Sequence, residues 1–402
     1  MNGKYLVATV IYAVLVVYAS LFPLNGWRLP GQDILAWFTL KLPHRFSRSD
    51  FLVNIIAYVP FGFLVLRLFW GKRGKGGAFM LAAVSGIGLS FAMELIQTCL
   101  PSRNASMLDL LTNSFGALCG AVAALFWQAS ASPEGKLGRW RDRHLLPGPQ
   151  AEIGMLVVLC WALSQLAPFV PSLDLGGIKN ALKPLWYTAH DLSLFKIPDA
   201  VTYCCYIAAL GVAALASVRQ RSLPLPLFVL CAAAVLFGKI FVLGRQISLE
   251  ALCGLLAATV LLAAMSLLSR ELRCYGGMFL VLAGFAAYQL KAGAGGVTAG
   301  SFNWVPFQGQ LVHELNGFGS ILEGTWPFAA LSLFSLLLFG ASRRSTFIGG
   351  ILTLLFVFIL ERLQLAIPGR VADITQALLA LAGWLFPYLY LRQARKSAKA
   401  DA

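Results

Sequence analysis

The sequence predicts an all-α integral membrane protein of about twelve transmembrane helices, set out in three four-helix units. Three observations carry this prediction. First, the 402 residues are 58% hydrophobic and only 12% charged, with a mean hydropathy of +0.75. A soluble domain carries roughly a quarter charged residues to keep its surface wet. Second, several runs reach or approach the roughly 20 apolar residues that cross a bilayer, and in lipid such runs must close their backbone hydrogen bonds as helices. Third, the connections have a rhythm: long polar segments at 25–49, 171–199 and 292–316 follow the first, fifth and ninth runs.

The expected helices are 5–24, 50–70, 78–99, 107–127, 152–170, 200–217, 223–243, 248–268, 274–291, 317–340, 345–365 and 371–391. The first apolar run follows Lys4 and is expected to remain as an uncleaved helix. Residues 1–130 form the first unit and 131–151 a basic linker containing Pro133, Pro147 and Pro149. Residues 152–270 form a middle unit and 271–402 a third.

The formal charge of +15 is unevenly placed. With both termini on one side, that side holds Lys72/Arg73/Lys75, Lys136/Arg139/Arg141/Arg143, Arg219/Arg221, Arg270/Arg273, Arg343/Arg344 and the basic C-terminal tail. Loop arginines and lysines mark the cytoplasmic face, so a multi-pass protein of the bacterial inner membrane with cytoplasmic termini is expected. The excess reads as topology and contact with anionic lipid. No basic domain with interleaved aromatics suggests nucleic acid. Trp27, Trp37, Trp186, Trp304 and Trp326 lie near helix ends and fit interfacial anchors. Most of the eight cysteines, Cys119, Cys160, Cys204, Cys205, Cys231 and Cys253 among them, lie in apolar runs and read as small core residues.

A gap-free internal repeat appears at an offset of 267 residues, from Glu94 to Glu361. Pro60–Phe61 matches Pro327–Phe328, and Phe91 matches Phe358. Glu94, Gln97, Pro101 and Arg103 match Glu361, Gln364, Pro368 and Arg370, and Gly116 matches Gly383. Ser106 corresponds to Asp373, Asp109 to Gln376, Asn113 to Ala380 and Asn54 to Ile321. The middle unit keeps Gly244–Arg245, Glu250 and Gly254 at shifted spacing, without a Glu-x-x-Gln.

Asn54, Pro60–Phe61–Gly62, Glu94, Gln97, Arg103, Asp109, Asn113 and Gly116 resemble the recurring pattern of the VanZ-like family. The resemblance covers the first unit and part of the third, whose Asn303-Trp-Val-Pro306-Phe307 is similar to an early element of that family. The family takes its name from a protein linked to teicoplanin resistance, which implies a role at the cell envelope.

In the expected topology Asn54, Glu94, Gln97, Arg103, Asp109 and Asn113 lie near the outer membrane face, as do Glu361, Gln364, Arg370 and Asp373. Glu94 and Gln97 share one face of their helix at i, i+3. Ionisable residues near lipid need a partner or a task. One expectation is a Glu–Arg clasp that fixes each hairpin. The other is a headgroup site in which Arg103 and Arg370 grip a phosphate or carboxylate. No GxSxG, HExxH, P-loop or paired-carboxylate signature is present, so binding rather than catalysis is expected. His44, His144, His190 and His313 are far apart, and neither metal nor cofactor is expected. The expected partners are membrane lipids and an envelope lipid or glycolipid; a transporter or flippase, a membrane enzyme using Glu94 or His190, and a structural subunit of an export or polysaccharide complex are the competing readings.

Overall fold

The computed structural model describes residues 3–29, 34–39, 48–132, 135–219, 225–293, 302–312 and 314–400. His44, Pro133, Arg221 and His313 lie outside the described residues. The described residues are helical, with no strand; their only sheet-like pairs are the isolated bridges Leu145–Val218, Pro171–Val242 and Asn303–Asp373.

The chain divides into two compact units. The first covers 1–140 and 311–315 and contains α1 (Gly3–Leu21), α2 (Ala36–Thr39), α3 (Arg48–Gln97) and α4 (Met107–Ala131). The expected helices 50–70 and 78–99 are two legs of α3, and no loop separates them. The break is Gly74, whose left-handed φ of +65° with ψ of −179° suits glycine. Tyr12 Oη on α1 donates to Ala57 O on α3 at 2.8 Å. The pairing of α3 with α4 depends on glycine. A Cβ on Gly62 would lie 1.9 Å from Ala117 O, and one on Gly120 would lie 1.9 Å from Val59 O. The two backbones touch because those side chains are missing. Gly120→Leu is therefore expected to separate the helices and cost about 3 kcal/mol or more, read as a lower melting temperature in detergent. An unchanged melting temperature would refute the contact.

The linker carries α5 (Lys136–His144). The second unit covers 141–310 and 316–402. It contains α6 (Pro149–Leu166), α7 (Leu175–His190), α8 (Ile197–Ser217), α9 (Leu225–Gly238) with a 3-10 turn at Lys239–Phe241, α10 (Leu249–Ser266) and α11 (Arg270–Leu290). Then follow α12 (Gln308–Val312), α13 (Glu314–Phe339), α14 (Arg343–Gln364) and α15 (Ile374–Ala400). Its interior is built on α8 and α13. Ile207 through Val212 are buried without interruption, Tyr206 meets Trp326 edge-on at 4.7 Å, and Phe285 meets Phe328 at 4.8 Å. Trp326 is thus a core residue at 2% exposure and no interfacial anchor, and Trp37 is buried too, whereas Trp27, Trp186 and Trp304 are exposed. Cys205 is buried, but Cys231 is exposed on α9.

Among the described residues, eight helices are long and apolar enough to cross a membrane: 51–97, 107–130, 149–166, 197–217, 249–266, 317–339, 343–364 and 374–392. Two shorter apolar helices cover 8–21 and 225–241. The count differs from the expected twelve for identifiable reasons. Two expected segments are one bent helix, two are short, and α11, whose first turn carries Arg270, Glu271 and Arg273, is not in the apolar set.

The polar segment 171–199 is also largely helical. Asp174 caps α7, its Oδ2 accepting from Gly177 N at 2.8 Å and its Oδ1 from Ser172 Oγ at 3.1 Å. The Gly177 amide, and then the Ser172 hydroxyl, hold this carboxyl below the usual carboxylate range. A depressed pKa stabilises the folded form above the unfolded-state pKa, and that contribution is lost as pH falls through the folded value. The start of α7 is expected to loosen in that acid window, seen as faster intrinsic-rate-corrected amide exchange over 172–180, while Asp174→Asn should remove the pH dependence.

Candidate functional site

Glu94 and Gln97 end α3, and both are buried. Glu94 Oε2 accepts from Ser106 N at 2.8 Å. Ser106 is the N-cap of α4, its Oγ accepting from Leu108 N at 3.2 Å. The carboxylate therefore satisfies a donor that the helix leaves open, at the end where the macrodipole favours negative charge. Asn54 Nδ2 donates to Asp109 Oδ1 at 2.8 Å, joining the start of α3 to α4. Asn113 Nδ2 donates to Ser90 Oγ at 3.1 Å, while its buried Oδ1 has no partner among the described residues.

Arg103 makes a different contact from either one expected of it. Its Nε donates to Phe22 O at 2.9 Å and its terminal nitrogen to Ala19 O at 3.2 Å, while Gln97 Nε2 donates to Ser20 O at 2.9 Å. These are the open carbonyls at the C-terminal end of α1, where a cation is favoured. Among the described residues no ion pair joins Glu94 to Arg103 or Glu361 to Arg370. The expected Glu–Arg clasp is replaced by two separate clamps, both aimed at helix ends.

The same pattern recurs around the second motif. Glu361 Oε2 accepts from Asp373 N at 2.8 Å and its Oε1 from Gln289 Nε2 at 3.1 Å. Asp373 Oδ1 accepts from Thr375 N at 2.7 Å and so caps α15. Arg370 donates through Nε to Lys291 O at 3.0 Å and through its terminal nitrogen to Tyr288 O, at the end of α11. Gln364 is buried, and its Nε2 has no partner among the described residues. The Asn303–Phe307 segment docks beside this motif: Asn303 N donates to Ala372 O at 2.9 Å and Phe307 N to Thr375 Oγ1 at 2.8 Å.

Arg245 does the same for α6. Its Nε donates to Ala167 O and its terminal nitrogen to Ser164 O at 3.1 Å. In all three cases the terminal nitrogen takes carbonyl i and Nε takes carbonyl i+3. Counting back six residues from each arginine gives Gln97, Lys239 and Gln364.

Lys239 begins a cluster that the sequence reading missed. It is 5% exposed, with Nζ 2.9 Å from both Gln165 Oε1 and Tyr203 Oη. Arg245 lies 3.9 Å from Glu323 on α13, and Lys291 Nζ bonds Asp199 Oδ1 on α8 at 2.8 Å. Lys291 and Arg370 both lie over the Tyr288 ring, at 4.6 and 5.6 Å from its centre. Lys239, Arg245, Lys291 and Arg370 thus lie among Asp199, Glu323 and, beside Arg370, Glu361 within unit 2, and the hydrogen-bond partners of Lys239 are neutral. Anchoring the comparison on the arginine rather than on Glu-x-x-Gln would have found Lys239, because it holds the register place of Gln97. The His190 ring stacks on Trp186 at 4.1 Å, and its Nδ1 lies 2.8 Å from Trp186 O.

The eight long apolar helices and the ionic groups packed among them define a multi-pass helical membrane protein. Residues 8–128 match the VanZ/LLP1 family model. Comparison with curated proteins and with solved structures gives no match.

Proposed function

We propose that this protein binds or handles an acidic envelope lipid or glycolipid through its headgroup at the outer face of the bacterial inner membrane. In this reading the chain is three four-helix units, twelve membrane segments in all, with both termini cytoplasmic. Each unit uses one arginine (Arg103, Arg245 or Arg370) to fix the end of its first helix. The observation that carries the reading is Lys239, a buried ammonium held by Gln165 and Tyr203, in a group of four cations that outnumber the neighbouring carboxylates Asp199, Glu323 and Glu361. Such an excess in a low-dielectric setting favours an anionic guest. Of the ten motif residues, Arg103, Arg370, Glu94, Glu361, Gln97 and Asp373 then act by positioning helix ends. Asn54, Asp109, Asn113 and Gln364 remain as polar contacts, and Asn113 Oδ1 and Gln364 Nε2 are the groups with bonding capacity to spare.

The test is native mass spectrometry of the detergent-purified full chain, wild type beside Lys239→Met. Wild type is expected to carry a defined acidic lipid and the variant at least tenfold less of it, with both folded. Identical bulk phospholipids on both would refute the reading and leave the cluster with a packing role. The link to glycopeptide resistance rests on the family resemblance alone. It predicts a lower inhibitory teicoplanin concentration after deletion of the gene, restored by wild type and not by Lys239→Met.

A further inference from the structure

The end of unit 2 opposite Lys239 holds a second feature. The Lys239 cluster gathers the N-terminal end of α8 and the C-terminal end of α11. At the other ends of the same two helices lies a cavity of about 370 Å³. Its wall is apolar, including Val212, Val218 and Cys274 at 1%, 4% and 2% exposure. Its cations are Arg219, Arg270 and Arg273.

Arg219, Arg270 and Arg273 form no ion pair among the described residues. The four ion pairs among the described residues use Arg141, Arg245 and Lys291, and none involves the cavity. Arg219 is tethered by one bond, from Nε to Leu145 O at 3.2 Å. Arg270 and Arg273 occupy the first turn and a half of α11, where the positive end of the macrodipole opposes a cation. Glu271 shares that turn, but adjacent helical positions do not face each other. Three guanidinium groups thus line one cavity with an apolar wall, Arg219 and Arg270 exposed and Arg273 half-buried, where their mutual repulsion and, for Arg270 and Arg273, the helix field are unfavourable. A planar fork of donors suits phosphate oxygens, and phosphate neutralises both unfavourable terms.

We propose that this cavity is a phosphate-ester site, filled by the headgroup phosphate of an anionic phospholipid whose first acyl carbons lie against Val212 and Val218. A volume of about 370 Å³ admits a headgroup and leaves the chains outside. The proposal does not depend on the Lys239 reading, which concerns the opposite ends of α8 and α11.

The test is native mass spectrometry of the full chain with added phosphatidylglycerol or phosphatidylcholine. The variants are Arg219→Gln/Arg270→Gln/Arg273→Gln and, as a control with the same charge change, Lys72→Gln/Arg73→Gln/Lys75→Gln. Wild type and control are expected to retain phosphatidylglycerol over phosphatidylcholine, and the cavity variant to retain at least tenfold less. Arg270→Gln alone leaves the Arg219–Leu145 bond intact and is expected to lose several-fold at an unchanged melting temperature; it decides the matter if the triple variant does not fold. Displacement of the lipid by millimolar glycerol 1-phosphate would support the phosphate site and assign its guest to solution, whereas no displacement would support the lipid. Equal retention of the two lipids by wild type would overturn the proposal, as would undiminished phosphatidylglycerol in the folded cavity variants.

Discussion

Replacing Arg103 with glutamine is expected to free the C-terminal turn of α1 and cost about 3 kcal/mol of stability. The guanidinium donates to Ala19 O and Phe22 O, two carbonyls that α1 itself leaves open. A hydrogen bond to a charged group contributes about 1.5–3 kcal/mol, and the half-buried position of Arg103 argues for the lower part of that range for each bond. Glutamine is shorter and neutral, so it cannot reach both carbonyls and does not complement the helix dipole. Lysine should rescue less than half, because a single ammonium cannot reproduce the fork that spans residues i and i+3. Gln97 still holds Ser20 O, so α1 should fray without detaching. The measurement is amide exchange over residues 15–24 together with thermal unfolding in detergent. Faster exchange confined to that segment is the expected result. Exchange identical to wild type would mean that Arg103 does not fix α1 and would reopen it as a ligand contact.

The helix positions were legible because a span requires length and low charge, and both are properties of a single segment. The Glu94/Gln97/Arg103 pattern and the matching spacing of Glu361/Gln364/Arg370 were also legible, since unlike polar residues rarely coincide by chance. What each residue touches was not. The partners of Arg103, Arg245, Arg370, Glu94 and Glu361 include backbone carbonyls and amides, and those leave no mark in the sequence. Two opposite charges near each other invite the inference of an ion pair, yet a helix end offers each of them a partner closer at hand. Lys239 was not legible because the segment leading to Arg245 has Leu236 where those leading to Arg103 and Arg370 have glutamate, so the Glu-x-x-Gln signature vanishes while the arginine register survives. The segment 171–199 read as polar because of its lysines, prolines and aspartates. Asp174 and Asp191 in fact cap helical turns there, and Leu173, Leu175 and Trp186 stay exposed, as suits a helix lying at a membrane surface.

Lys239→Met is expected to have opposite effects on stability with and without ligand. The ammonium is 5% exposed, and its nearest partners, Gln165 Oε1 and Tyr203 Oη, carry no charge. Keeping a charge there costs several kcal/mol of desolvation, offset in part by two hydrogen bonds, by the Tyr203 ring 5.2 Å away and by the field of Glu323. Methionine fills similar volume and strands no carboxylate, but it leaves an amide oxygen and a phenol to find other partners, at about 1 kcal/mol each. The balance favours methionine by about 1 kcal/mol in delipidated protein, since the desolvation term is the larger. Acidic lipid should reverse that order. A ligand at a hundred times its Kd stabilises the state that binds it by about 2.7 kcal/mol, and only wild type would gain this. Thermal unfolding with and without the co-purified acidic lipid therefore separates the two roles of this residue. A crossing of the two melting temperatures is the signature of a ligand-binding lysine. If Lys239→Met is the more stable form under both conditions, the charge serves neither binding nor stability, and the anionic guest must be sought elsewhere in unit 2.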